Sequence, residues 1–131
     1  MRSIFGLGGN KLEGEVNKID KDIKKLLDEV EKDPFGRNKK KKEYKRLIEK
    51  ILKEIEEHKE SLHKLYGSKL NDLQDLENVK KYLGIYYEKL KELEKGHRVV
   101  IHPQWLTAWL RAIRTTLNKY KDELHNLGII K

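Results

Sequence analysis

The sequence predicts an all-α fold, an antiparallel up-down-up-down four-helix bundle with a short N-terminal arm, and three observations carry that prediction. Four stretches place Leu, Ile, Val and Tyr in alternating steps of three and four, the spacing of one helical face. Pro34, Gly67, Gly96, Pro103 and Gly128 stand at the ends of those stretches, where helices start or stop. The connections between them are short, which makes consecutive helices antiparallel neighbours. A chain of 131 residues is the size of a single domain.

The first stretch reads Leu12, Val16, Ile19, Ile23, Leu26, Val30, with Leu27 widening the seam. Asn10 is a candidate N-cap, and Pro34 keeps the residue before it out of the α region, so the helix is expected over about 11–32. The second seam is Tyr44, Ile48, Ile51, Ile55, His58, Leu62, Leu65, broadened by Leu47 and Leu52. Asn38 caps its start and Gly67 its end, giving about 39–66. Leu76, Val79, Leu83, Tyr86, Leu90 and Leu93 define a third helix over about 72–95, ended by Gly96. Gly84 lies inside it at a cost of about 1 kcal/mol relative to Ala; a close approach by a neighbouring helix is the simplest reason, a hinge the alternative. The fourth helix, about 103–127, opens with Pro103 at its first position and runs Leu106, Leu110, Ile113, Leu117, Tyr120, Leu124, Leu127 to Gly128. Val99, Val100 and Ile101 read as an extended segment over the end of the core. Two long hairpins that complete their core only in a dimer are the alternative architecture.

Composition narrows the class. Hydrophobic residues make up 37% and charged residues 40%, so order rests on pattern and not on apolar content. With no Cys there is no disulfide framework, thiolate nucleophile or Cys-ligated metal site. The longest uncharged run, Val99 to Leu110, is interrupted by Pro103 and falls short of the ~20 residues needed to span a bilayer. The opening residues do not read as a secretory signal, and the expected setting is intracellular (cytoplasmic), or a virion if the chain is viral. The Lys/Glu/Ile-rich composition with two Gln is that of a thermophile protein.

Thirty Lys and Arg against 22 Asp and Glu leave a net charge of +8. The predicted topology collects much of it at one end. Arg37, Lys39, Lys40, Lys41, Lys42, Lys45 and Arg46 face only Glu43 within their segment, and Arg98, Arg111 and Arg114 belong to the same pole. Such a cluster can neutralise several phosphates. A lysine run opening a helix is equally a solvated face, and it opposes the helix dipole.

Trp105 and Trp109 flank the seam of the fourth helix, capping the core, forming a contact surface for a second subunit, or stacking on bases alongside Arg111 and Arg114. Tyr82, Tyr86 and Tyr87 read as core and rim, with Tyr82 the most exposed. His58 reads as a hydrogen-bonded core histidine. His58 with His63, and His97 with His102, are five apart, a spacing that does not make a helical metal pair. The arm, residues 1–10, carries Ile4, Phe5 and Leu7 among Gly6, Gly8 and Gly9, and folds back on the core, docks on a neighbouring subunit, dips into a membrane or stays disordered. Gly6, Gly8 and Gly9 do not form a phosphate loop, since no strand precedes them and no Lys-Ser/Thr pair follows.

The function expected from this reading is non-enzymatic: protein–protein interaction or assembly in a thermophilic cellular or viral particle. Self-association to a homodimer would use Phe5, Leu7, Trp105 and Trp109. The alternative is a DNA- or RNA-binding protein using the basic pole around residues 37–46. No metal, cofactor or small-molecule ligand is expected.

Overall fold

A computed structural model describes residues 4–33, 40–67, 74–99 and 102–130, without the side chains of residues 4–10, 103 and 105. Among the described residues the chain forms four helices and no strand: α1 (Ile4–Lys32), α2 (Lys41–Tyr66), α3 (Gln74–Glu94) and α4 (Pro103–Asn126). Each helix packs on two others, in the ring α1–α2–α3–α4–α1, and no diagonal pair meets. Contacts along each seam fix the directions. Lys40 reaches Glu29 while His58 reaches Glu15, so α1 and α2 run antiparallel. Lys45 with Glu94 and Lys59 with Glu77 do the same for α2 and α3. Lys119 with Asp75 and Trp109 with Tyr82 fix α3 and α4, and Arg111 with Glu31 and Lys121 with Asp20 fix α1 and α4. The up-down-up-down bundle follows.

The predicted seams form its core. Leu12, Val16, Ile19, Ile23, Leu26 and Val30 of α1 share one buried core with Ile48, Ile51 and Ile55 of α2, Val79, Leu83 and Leu90 of α3, and Leu110, Ile113 and Leu117 of α4. Each such side chain contributes about 1.5–3 kcal/mol by leaving water.

The ends differ from the sequence expectation in instructive ways. The arm is not separate from Ile4 onward: α1 begins there, and Asn10 lies inside the helix instead of capping it. Once the Leu12–Val30 face is packed, each residue added upstream forms one more hydrogen bond on an existing nucleus, and this outweighs the cost of Gly6, Gly8 and Gly9. Lys40 occupies the N-cap of α2 without a side-chain cap bond; Asn38, the expected cap, lies outside the described residues. Pro103 opens α4 as predicted.

Gly67, Gly96 and Gly128 all have positive φ. At Gly128 the chain reverses, and Ile129 N–H donates to the Leu124 carbonyl at 2.9 Å. That turn buries Ile129 and Ile130 and leaves Leu127 57% exposed, although its spacing places it on the seam. Leu65, the last seam residue of α2, is likewise 42% exposed.

Tyr44 closes the other end of the α1–α2 pair. Its ring is buried, and its hydroxyl lies 2.9 Å from the carbonyls of both Glu29, which also accepts the Asp33 N–H at 3.1 Å, and Asp33, at the end of α1. Burial, with Asp33 and Glu29 close by, pushes the Tyr44 phenol up to about 12.

Gly84 overturns the close-approach reading. Among the described residues a Cβ built there would meet no atom within 4 Å, so none of the described neighbouring helices requires the glycine.

Candidate interaction surfaces and the buried polar network

The pole where α1 ends, α2 begins, α3 ends and α4 begins carries the predicted cations. Its described residues, within 28–33, 40–46, 88–98 and 111–114, hold twelve Lys and Arg against eight Asp and Glu. Arg37 and Lys39 lie outside the described residues. Three of the predicted site residues are spent on interhelical ion pairs. Lys40 meets Glu29 at 3.1 Å, and that bond holds its ammonium above the usual lysine range. Lys45 meets Glu94 at 3.0 Å and lies over the Tyr87 ring at 5.7 Å. Arg111 meets Glu31 at 3.2 Å.

Lys41 is half-buried and also engaged. Lys42, Arg46 and Arg98 are exposed and pair with no carboxylate among the described residues. Arg46 lines a groove of about 320 Å³ between α1 and α2, with Lys25, Lys50, Glu29 and Glu43. Arg114 is half-buried in a second groove, between α1 and α4, beside Asp28, Glu31, Arg111 and Asn118; its Nε is buried without an acceptor. The pole is therefore a lattice of neutralised pairs with a few open cations at its rim.

Of the predicted apolar interface residues Phe5, Leu7, Trp105 and Trp109, Trp109 alone has a described side chain. Trp109 is half-buried, packed edge-on against Tyr82 at 6.0 Å between ring centres, and Tyr82 is correspondingly half-buried. Among the described residues the large apolar side chains left exposed are Leu65, Ile85 and Leu127.

His58 is fully buried at the junction of three helices. Its Nδ1 lies 3.0 Å from Glu15 Oε1 on α1, and its Nε2 lies 2.5 Å from the Tyr120 hydroxyl on α4. The Ser61 hydroxyl donates to the other Glu15 oxygen at 2.7 Å. One assignment satisfies every partner: neutral His58 donates from Nδ1 to Glu15, and Tyr120 donates to Nε2. Burial lowers the imidazole pKa against the opposing pull of Glu15, which keeps the ring neutral. The chain of carboxylate, imidazole and hydroxyl has the order of a nucleophile-activating relay. Its hydroxyl, however, belongs to a fully buried Tyr120, so its members bond to each other and tie α1, α2 and α4 in register.

A carboxyl pair lies one layer further along the α1–α2 seam. Asp22 and Glu54 are both buried, and Glu54 is 6% exposed. Burial, then the hydrogen bond and the charge of Asp22, push Glu54 up to about 7. Lys18 at 3.6 Å from Glu54 and Lys50 at 3.3 Å from Asp22 act in the opposite direction, but both ammonium groups are largely in solvent and do not repay the desolvation. With both groups ionised no donor reaches either Glu54 oxygen; a proton held between the two carboxyls supplies the missing bond. Asp75 and Glu123 form a second such pair between α3 and α4, where the hydrogen bond that protonated Glu123 donates to Asp75 raises Glu123.

The sequence reading missed these acids, because a surface rich in Glu and Lys hides any single carboxylate. The available signal was register: Glu15, Asp22 and Glu54 each stand three residues after a seam residue, Leu12, Ile19 and Ile51. Among the described residues no group of three His, Asp or Glu is placed to hold a metal ion, and no helix is long and apolar enough to cross a membrane. The chain matches no family model, no curated protein and no solved structure.

Proposed function

We propose that the protein is a non-enzymatic interaction module that self-associates, a building unit of an assembly. The observation that supports this most directly is the contrast between its interior and its surface. The groups with chemical potential, Glu15, His58, Ser61 and Tyr120, are consumed in bonding three helices together. Ile85, Leu65 and Leu127 meanwhile remain 38%, 42% and 57% exposed on outer surfaces. Covering such side chains drives helical proteins onto one another. Sedimentation velocity of the full chain over about 1–500 μM is the test, and a weight-average mass rising toward the dimer is the expected result. A strict monomer across that range refutes the reading.

A second reading has its own support. Lys42, Arg46 and Arg98 stand exposed at one pole with no ion pair among the described residues, Lys25 adjoins Arg46, and together they give a polyanion such as DNA or RNA a place to dock. Binding through them would weaken steeply between about 50 and 200 mM salt. A fluorescent oligonucleotide titration at both salts checks it; no binding at the lower salt, or no loss with Lys42→Gln and Arg46→Gln together, removes it.

A further inference from the structure

We infer that the outer face of α3 is the self-association surface, and that two copies of the chain cross antiparallel on it with Ile85 of each seated over Gly84 of the other. The inference rests on the self-association reading and supplies its site. Gly84 is in the middle of a 21-residue helix, where glycine lowers helix stability, yet the chain makes no internal use of its small size: a Cβ there would meet nothing within 4 Å. Beside it Ile85 is 38% exposed. The two line a shallow groove of about 820 Å³ walled by Lys81, Glu88, Lys89, Glu92, Arg98 and Val99. A glycine with open space over it and a β-branched side chain next to it are the hole and the knob of a helix crossing.

The charges around them suit a second copy of this chain. A two-fold contact is self-complementary, and a two-fold axis perpendicular to α3 makes the two helices antiparallel. With the axis passing between residues 84 and 85, Ile85 falls on the partner's Gly84, and Lys81 falls opposite the partner's Glu88, twice over. Lys81 is exposed and forms no ion pair among the described residues; Glu88 has only a loose contact with Lys91 at 3.7 Å. The same register sets Glu77 against Glu92 and Lys80 against Lys89. Glu77 is already held by Lys59 and Glu92 by His97 and Lys95, which neutralises the acidic pair; Lys80 is held by Glu56, while Lys89 forms no ion pair among the described residues and is the one uncompensated charge of the Lys80–Lys89 contact. One helix pair covers a small area, which places the dimer in the weak class, with Kd on the order of 10–100 μM.

Sedimentation equilibrium of the full chain, with helicity followed by circular dichroism, tests this through four variants. Gly84→Leu fills the hole and weakens the dimer at least about 30-fold while the monomer stays helical, since the monomer has room for the side chain. Lys81→Glu and Glu88→Lys each put like charges in contact at both ends and weaken it about tenfold. The double variant Lys81→Glu with Glu88→Lys restores opposite charges and returns the affinity to within about threefold of the parent. Self-association that none of these variants alters overturns the α3 surface while leaving the proposed function standing. A parent chain that never dimerises overturns both.

Discussion

Tyr120 and Tyr44 are buried phenols whose rings belong to the core and whose hydroxyls belong to the backbone and polar network, so Phe separates the two roles. Tyr120→Phe keeps the packing and strips the partner from His58 Nε2, leaving a buried acceptor unmet. The expected cost is about 1–3 kcal/mol, measured by urea unfolding at pH 7.5, where the imidazole is neutral. His58→Leu combined with Tyr120→Phe removes both ends of that bond, and the pair should cost less than the sum of the single changes. Strict additivity in that cycle would show that the His58–Tyr120 contact contributes nothing. Tyr44→Phe is a different case, because the hydroxyl serves two carbonyls at the end of α1. A loss of about 1–2 kcal/mol is expected, with faster hydrogen exchange confined to the α1–α2 junction. Uniformly faster exchange would mean that the hydroxyl supports the whole core instead of one helix end.

The helices themselves were legible because their signal is redundant: six or seven seam residues per helix vote for one period, and a single misplaced residue changes nothing. Their ends were less legible because each depends on one or two residues and on what packs there. Leu65 and Leu127 obey the period yet stay exposed, since spacing cannot report where a neighbouring helix stops. Gly96 and Gly128 were readable as stops because only a residue free of a Cβ takes their φ of 80° and 74° without strain. The lysine pole was legible as a composition, but its pairing with Glu29, Glu31 and Glu94 was not, because those acids come from other helices. Gly84 was visible and misread: the sequence shows the missing side chain but not the open space over it. That space makes a prediction about α3 alone. At concentrations too low for association, Gly84→Ala should stabilise the chain by about 0.5–1 kcal/mol in thermal or urea unfolding, through helix propensity. Destabilisation would show that α3 needs a backbone conformation there that alanine does not share.

At the scale of the molecule, the buried titratable groups impose opposing pH dependences, and their signs can be worked out one by one. Glu54 has its pKa raised from 4.5 to about 7 in the folded chain. Between those values the folded state keeps a proton that the unfolded state has lost, so the associated stability is complete below 4.5 and disappears as pH rises through about 7. Glu123, also raised, acts with the same sign. His58 is lowered from 6.5, so its contribution is complete above 6.5 and is lost as pH falls through its lower folded value. Neither term alone sets the profile: the carboxyl pairs favour mild acid, the imidazole opposes further acidification, and stability should peak on the acid side of neutrality. Glu54→Gln isolates the first term, since an amide has the shape of the protonated acid and donates to Asp22 at every pH. The variant should match the parent near pH 5 and exceed it by about 1–3 kcal/mol at pH 8, read from urea midpoints at constant m-value. If the parent is instead the more stable at pH 8, Lys18 and Lys50 hold both carboxylates ionised, and the α1–α2 seam is closed by a salt-bridged cluster instead of a shared proton.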